Sequence, residues 1–299
     1  MTSFSSPEEI ISFFDDYDLS PSNRDYLSFH ALRYFILWKE VLEILNLSSI
    51  EDDKILKQVQ DDTSGDQDDT TKVGNMSFRG NREILAESGE KISHLVRNDS
   101  KTIKLLDIGP GFFTEILGQK LKSTYSNVEI FGLGLKSDYI PFKSKIDFIH
   151  FDLNDLYLKP ENIPKLEQFD LIICTEVLEH LYTGIDSSLE TFSKLLKPNG
   201  RLIIQTPNAV SLHHRLKLLF GQNPFSILRP NPIEPGHYRE YTLNELEISL
   251  KKAGLNPTKV ESHNYFNYHG NWKNRIYKLI CNLLTKGFKD GITILCSKI

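Results

Sequence analysis

The stretch Lys104–Leu117, KLLDIGPGFFTEIL, constrains the fold of this chain more than any other. Ile103, Leu105 and Leu106 read as a short buried strand that ends at Asp107. Gly109 and Gly111 force a tight turn, and Thr114 to Leu121 read as the opening of a helix. A strand, a glycine turn and a helix gather backbone N–H groups and a helix N-terminus around a ligand. A dinucleotide fingerprint would place Gly at 109, 111 and 114, and position 114 is Thr, which argues against a nicotinamide site. An Asp at the strand end followed by G-x-G offers a carboxylate to an ammonium group. The bare glycine backbone leaves room for an adenosine-bearing molecule.

The rest of the chain alternates in type. Strands are expected at Val128–Leu133, Ile146–Phe151, Phe169–Cys174, Arg201–Gln205, Lys259–His263 and Ile292–Ser297. Helices are expected over Asn81–Arg97 and Leu189–Leu196, the latter stopped by Pro198-Asn199-Gly200. Another opens at the capping box Thr242-Leu243-Asn244-Glu245 and closes at Gly254. Alternation of this kind means a parallel α/β sheet covered on both faces, and two strands at the end with only an insert between them mean an antiparallel last strand. Ahead of this domain, Ser6-Pro7-Glu8-Glu9 caps a short helix. Leu27, His30, Ala31, Tyr34, Trp38, Leu42 and Leu45 recur at helical spacing after Ser20-Pro21. The chain thus divides into an N-terminal helical segment (1–50), an acidic flexible linker (51–74) crowded with Asp and Glu, and a main domain (75–299). The main domain carries a lid insert (209–236) and a helical insert (265–289).

Composition limits the partners. A net charge of −5 over 299 residues argues against a general nucleic-acid binder. Cys174, Cys281 and Cys296 form no C-x-x-C pair and fit a reducing compartment. The first residues, MTSFSSPEEIISFFDD, have neither the basic start nor the long apolar core of a secretory signal, and no apolar run reaches the length of a membrane span. The expectation is a cytoplasmic protein.

Three further landmarks follow the glycine turn in order: FDLIICTEVLEHL (169–181), LLKPNGRLIIQTPN (195–208) and HYREYTLNELEISLKKAGL (237–255). Together with DIGPG they resemble the class I S-adenosylmethionine-dependent methyltransferases, and within them the group of the ubiquinone-pathway O-methyltransferases. The resemblance covers roughly residues 80 to 299. It implies a Rossmann-like α/β fold, a seven-stranded, mostly parallel sheet with an antiparallel last strand, to which the N-terminal helices add a cap. It implies that Asp107, Gly109 and Gly111 hold the methionine end of S-adenosylmethionine. Asp152 would face the adenine amino group with Leu153 beside the ring, and Thr175 would lie near the sulfonium. The chain departs from the family twice. Phe113 stands where a third glycine is usual, and Gly134 stands at the cofactor's ribose position, where an acid is usual.

Methyl transfer to an alcohol or phenol needs removal of a proton, and histidine suits that role near neutral pH. His180 is the first candidate base and His237 the second. Glu176, Glu179 and His180, at i, i+3 and i+4, would share a face if they lie on a helical turn. With His237 they could hold a divalent metal such as magnesium. The pattern E-x-x-E-H with a later H-x-x-E-x-T also resembles the metal-dependent small-RNA 2′-O-methyltransferases. The reading is methyl transfer from S-adenosylmethionine to an oxygen of a small metabolite, glycan or lipid intermediate. The alternatives are an RNA 2′-O-methyltransferase or a non-catalytic methyltransferase-like binding module. Both inserts mix apolar residues (Leu216, Leu218, Leu219, Phe220, Phe225, Ile227; Trp272, Ile276, Leu279, Ile280, Leu283) with Lys and Arg. Core packing with solvated charges is the expected arrangement, and peripheral contact with a membrane surface is the alternative.

Overall fold

A computed structural model describes residues 3–45, 102–125, 127–135, 142–230, 236–265, 277, 279–281 and 283–299. The expected helix at Asn81–Arg97 and the linker 51–74 lie outside these residues. In chain order the elements are α1 (Pro7–Ser12), α2 (Pro21–Ile44), β1 (Ile103–Ile108), α3 (Phe112–Thr124), β2 (Val128–Gly134), β3 (Asp147–His150) and α4 (Asp155–Leu158). They continue with β4 (Phe169–Thr175), α5 (Asp186–Leu195), β5 (Leu196–Pro207), α6 (Leu212–Leu219), α7 (Leu243–Lys252), β6 (Leu255–His263) and β7 (Gly291–Lys298). The chain forms two units, Met1–Tyr34 with Thr102–Ile299, and Phe35–Lys101. In the second, Leu37, Trp38 and Val41 are buried. The sheet and the site belong wholly to the first.

The strands make one seven-stranded sheet in the order β3-β2-β1-β4-β5-β7-β6. The pairs β2/β3, β1/β2, β1/β4 and β4/β5 are parallel, while β5/β7 and β6/β7 are antiparallel. This is the expected fold class. The order reverses between β1 and β4, so the carboxyl ends of these strands form the topological switch point at which open α/β sheets bind ligands. Central strands read as continuous apolar runs because both faces are covered: Leu105, Leu106, Leu171, Ile172, Ile173, Leu202, Ile203 and Ile204 are all fully buried.

Two boundaries differ from expectation for physical reasons. β5 begins at Leu196, not Arg201, because Leu196 pairs with Phe169 ahead of an irregularity in the ladder, with Asn199 at φ 65° between the two paired parts. α3 begins at Phe112, because both phenylalanines after the glycine turn have partners in the N-terminal segment. Phe112 packs edge-on against Phe14 (5.1 Å between centroids), and Phe113 stacks on Tyr34 (6.1 Å, 17° between planes). The third glycine of the family pattern is thus replaced by an aromatic anchor for α2. Glu115, fully buried, ties the same region together. It accepts from the Tyr17 hydroxyl at 2.6 Å, from Gln119, and from the backbone N–H groups of Lys143 and Ser144.

At the other end of the unit, α7 has the expected capping box. Glu245 N–H donates to Thr242 Oγ1 (3.3 Å) and Thr242 N–H to Glu245 Oε2 (2.8 Å). The helix closes at Gly254, φ +72°. The core-packing expectation for the inserts does not hold: Leu218, Leu219, Phe220, Ile227 and Leu283 are between 60 and 89 % exposed. These segments lie outside the sheet, and no element is packed over those side chains among the described residues. Trp272, Lys273, Arg275, Ile276 and Lys278 are outside the described residues.

Candidate active site

The glycine turn after β1 is held by two polar contacts and one close approach. Gly111 N–H donates to Thr114 Oγ1 (2.7 Å), and that hydroxyl donates to Asp107 Oδ2 (2.5 Å). Thr114, which breaks the dinucleotide pattern, therefore locks the turn onto the strand end. Gly109 has φ +73°, and a Cβ there would lie 2.5 Å from Val177 Cγ2, so only glycine lets the turn after β1 meet the turn after β4. At Gly134 a Cβ would stand 3.3 Å from Pro110 Cδ and 3.5 Å from Gly109 backbone. The missing ribose acid thus coincides with tight seating of the glycine turn against β2. Asp138, on the segment that follows, is outside the described residues.

Asp107, Gly109, Gly134 and Thr175 lie at the carboxyl edge of three adjacent strands. Asp152 and the buried Leu153 follow β3 at the same edge, where Phe151 N–H donates to Gly134 O. Asp152 Oδ1 accepts from the Asn154 N–H (2.9 Å) and side-chain amide (3.0 Å), forming a turn. Asn154 Oδ1 in turn receives Tyr182 N–H and Thr183 N–H, which joins this loop to the one after β4.

A residue that the sequence reading passed over completes this edge. Arg33 of α2 is 2 % exposed, its Nε and Nη1 have no hydrogen-bond partner, and it lies within electrostatic reach of Asp107, Glu176 and Glu179. Burial pushes the Asp107 carboxyl up to about 7, against the opposing effects of Thr114 and Arg33. A buried carboxyl beside a buried, unsatisfied guanidinium is complementary to the ammonium and carboxylate of an amino acid. The residues present therefore fit the methionine end of S-adenosylmethionine. Arg33 was legible in principle. It stands three residues after His30 and four before Leu37, on the face that the helix buries.

The turn after β4 carries the second cluster. Glu176 adopts φ +55°, and Leu178–His180 is a 3₁₀ turn, so the expected helical turn over 176–180 is not formed. Chain reversal at Glu176, anchored by its N–H on Gln205 O, changes which side chains meet. One ligand atom each from Glu179, His180 and His237 lies within 4.8 Å of the others, and Glu176 is not in that group. Glu179 is fully buried. Its Oε2 accepts from Thr206 Oγ1 (3.0 Å); its Oε1, 4.0 Å from His180 Nε2, is buried without a hydrogen-bond partner, as is Glu176 Oε1. Burial, reinforced for Glu179 by Glu176, raises both carboxyls above their ordinary range.

The two imidazoles are fixed in orientation. His180 Nδ1 lies 3.0 Å from Gly236 O and His237 Nδ1 lies 2.9 Å from Glu240 Oε1. A carbonyl or a carboxylate only accepts, so both Nδ1 atoms carry a proton, and in the neutral rings Nε2 carries the lone pair. Such nitrogens suit a proton acceptor or a metal ligand. Glu240, absent from the expected site, also lies 3.4 Å from His214 Nδ1. A cavity of about 290 Å³ opens beside the cluster, lined in part by His30, Glu176, His213, His214, Lys217 and His237.

Comparison with known proteins gives the family. The description "Methyltransferase domain" matches residues 78–260, more than half of the chain. The chain belongs to this methyltransferase-domain family, the class I S-adenosylmethionine-dependent enzymes. It is 30% identical over 107 residues to the mitochondrial ubiquinone biosynthesis O-methyltransferase of Homo sapiens, and 28% identical over 108 residues to that of Bos taurus. Each match covers 36% of this chain and spans only 28% of the relative's own length. Among solved structures it is similar to a SAM-dependent methyltransferase from Archaeoglobus fulgidus (19% identity, TM-score 0.43, 74% of this chain and 96% of that one). Another is a methyltransferase from Clostridium acetobutylicum (18% identity, TM-score 0.44, 73% and 95%).

Proposed function

We propose that this protein transfers a methyl group from S-adenosylmethionine to an oxygen of a small metabolite, glycan or lipid intermediate, assisted by a divalent cation. The observation that carries the reading is the convergence of Glu179, His180 and His237 beside the Asp107–Gly111 turn. Three carboxyls, Asp107, Glu176 and Glu179, share one buried guanidinium, Arg33, so the pocket is short of positive charge. The relatives named as O-methyltransferases support the choice of oxygen.

S-adenosylmethionine supplies an electrophilic methyl group. Asp107 would take its ammonium, Arg33 its carboxylate, and the backbone of Gly109–Gly111 would hold the amino-acid portion. Thr175, at the end of β4, would serve the reacting end, and Asp152 and Leu153 the adenine. Glu179, His180 and His237 would hold the cation; carboxylate and imidazole donors suit magnesium or manganese. A bound divalent cation lowers the pKa of an acceptor hydroxyl. The Nε2 lone pairs of His180 and His237 accept the hydroxyl proton where no cation is held.

Calorimetric titration with S-adenosylmethionine tests the first half: binding by the wild type that Asp107→Ala removes is expected, and no binding by the wild type would overturn the reading. Turnover of methyl-labelled S-adenosylmethionine with a metabolite and lipid extract tests the second half. EDTA should stop it and added magnesium or manganese should restore it. A rate indifferent to EDTA would leave the histidines as bases alone. A short RNA as competing acceptor covers the 2′-O-methyl alternative, which the same Glu-His cluster would serve.

A further inference from the structure

The two inserts differ from the rest of the chain in charge. Residues 209–236 contain Arg215, Lys217 and Arg229 against one acid, Glu234, and residues 265–289 contain Lys273, Arg275, Lys278, Lys286 and Lys289 with no Asp or Glu. This occurs in a chain whose net charge is −5. The inserts also meet in space. His213 N–H donates to Tyr277 Oη (3.3 Å), the Arg215 guanidinium lies 4.6 Å from the Phe288 ring centre, and Asn208 Nδ2 donates to Gly287 O (3.0 Å).

Their apolar side chains point outward. Of the twenty-one large apolar side chains exposed among the described residues, eleven belong to these stretches. Leu219 is 75 % exposed, Phe220 74 %, Ile227 89 % and Leu283 82 %. Exposed Arg215, Arg229 and Lys286 accompany them. A concentrated apolar patch needs a partner. A predominantly basic rim fits a partner that is apolar within and negatively charged at its surface. The inner side of the first insert, through Ser211, His213, His214, Lys217, Pro224 and Ser226, walls the cavity beside His237.

We propose that the joint face of α6, residues 220–230 after it and residues 279–281 and 283–289 docks on the surface of an anionic lipid bilayer. Leu219, Phe220, Ile227 and Leu283 enter the headgroup boundary while Arg215, Arg229 and Lys286 pair with lipid phosphates. Docking sets the cavity wall against the lipid, so an acceptor could reach the site without crossing water. The proposal does not depend on the acceptor or on methyl transfer.

Co-sedimentation of the full chain with vesicles tests it directly. The wild type should pellet with vesicles containing about 30% phosphatidylglycerol and at least about tenfold less with pure phosphatidylcholine, and high salt should release it. Leu219→Ser/Phe220→Ser/Ile227→Ser and Arg215→Glu/Arg229→Glu/Lys286→Glu should each lose most of the pelleted fraction while retaining far-UV circular dichroism and calorimetric S-adenosylmethionine binding. No recruitment of the wild type by anionic vesicles overturns the proposal whatever the variants do, as does recruitment unaffected by lipid charge. Light scattering that shows a wild-type dimer split by the serine variant, without vesicle binding, would assign the face to a second copy. Retarded mobility on a homopolymeric RNA, without vesicle binding, would assign it to nucleic acid.

Discussion

Asp107 and Glu240 show how a single side chain sets the chemistry of this site. Burial holds the Asp107 carboxyl up near 7, so in the ligand-free fold it is largely protonated below that pH. A raised carboxyl stabilises the fold at acid pH, and this contribution is lost as pH rises through about 7. Binding an ammonium works in the opposite direction, because it needs the carboxylate. S-adenosylmethionine affinity should therefore rise with pH below 7, by up to about tenfold per unit, and level off above it. Calorimetry from pH 5.5 to 8.5, a range of about three units around that value, reads this, and Asp107→Asn should give a flat profile. Arg33→Leu should weaken the same binding at every pH, since its charge does not titrate in that range. Glu240 acts through His237, holding Nδ1–H so that Nε2 is presented. Glu240→Gln should lower manganese affinity about 10- to 100-fold, measured by the disappearance of free-ion paramagnetic resonance, with little change in S-adenosylmethionine binding. Asp107 was readable in the sequence because a strand, a G-x-G turn and a helix leave an acid at the strand end little choice of role. Arg33 shows only as a charge at helical spacing between His30 and Leu37, and Glu240 only as the acid of H-x-x-E-x-T; neither pattern assigns a role, because a charged residue on a helix or in a loop is solvated by default. Only the packing of α2 on α3, and the approach of residue 240 to two histidines, decide otherwise.

At the scale of elements, local chemistry predicted starts and stops better than it predicted partners. The capping box at Thr242 and the glycine stop at Gly254 depend on neighbours in sequence, and both are present as read. Thr242→Ala should destabilise the unit by about 1 kcal/mol in chemical denaturation, the ordinary worth of an N-cap. The spacing of residues 176–180 suits a helical turn, whereas the left-handed Glu176 and the close approach of Val177 to Gly109 go with a 3₁₀ turn. Phe113 looked like a defect in the glycine turn and is an anchor, stacked on Tyr34. Phe113→Ala should cost about 3–5 kcal/mol by the same measurement. Phe113→Gly, the residue type of the family pattern, should be no better, because the aromatic partner on α2 remains. The inserts show the limit of periodicity. Apolar residues at helical spacing identify a face, but not whether protein or something else covers it.

The whole molecule was the most legible level. Alternating strands and helices, with two strands at the end, leave few topologies open, the family resemblance implies a seven-stranded sheet, and the structure has one in the order β3-β2-β1-β4-β5-β7-β6. That order places the last strand of the sheet, Gly291–Lys298, between two strands made before it, Leu196–Pro207 on one side and Leu255–His263 on the other. While the ribosome is still making residues 208–290, the growing chain holds an apolar edge at Leu202, Ile203 and Ile204 with nothing to zip onto it. The strand Leu255–His263 has no neighbour at all in that interval. Nascent chains of this design need shelter from one another until eight late residues slot in like a keystone.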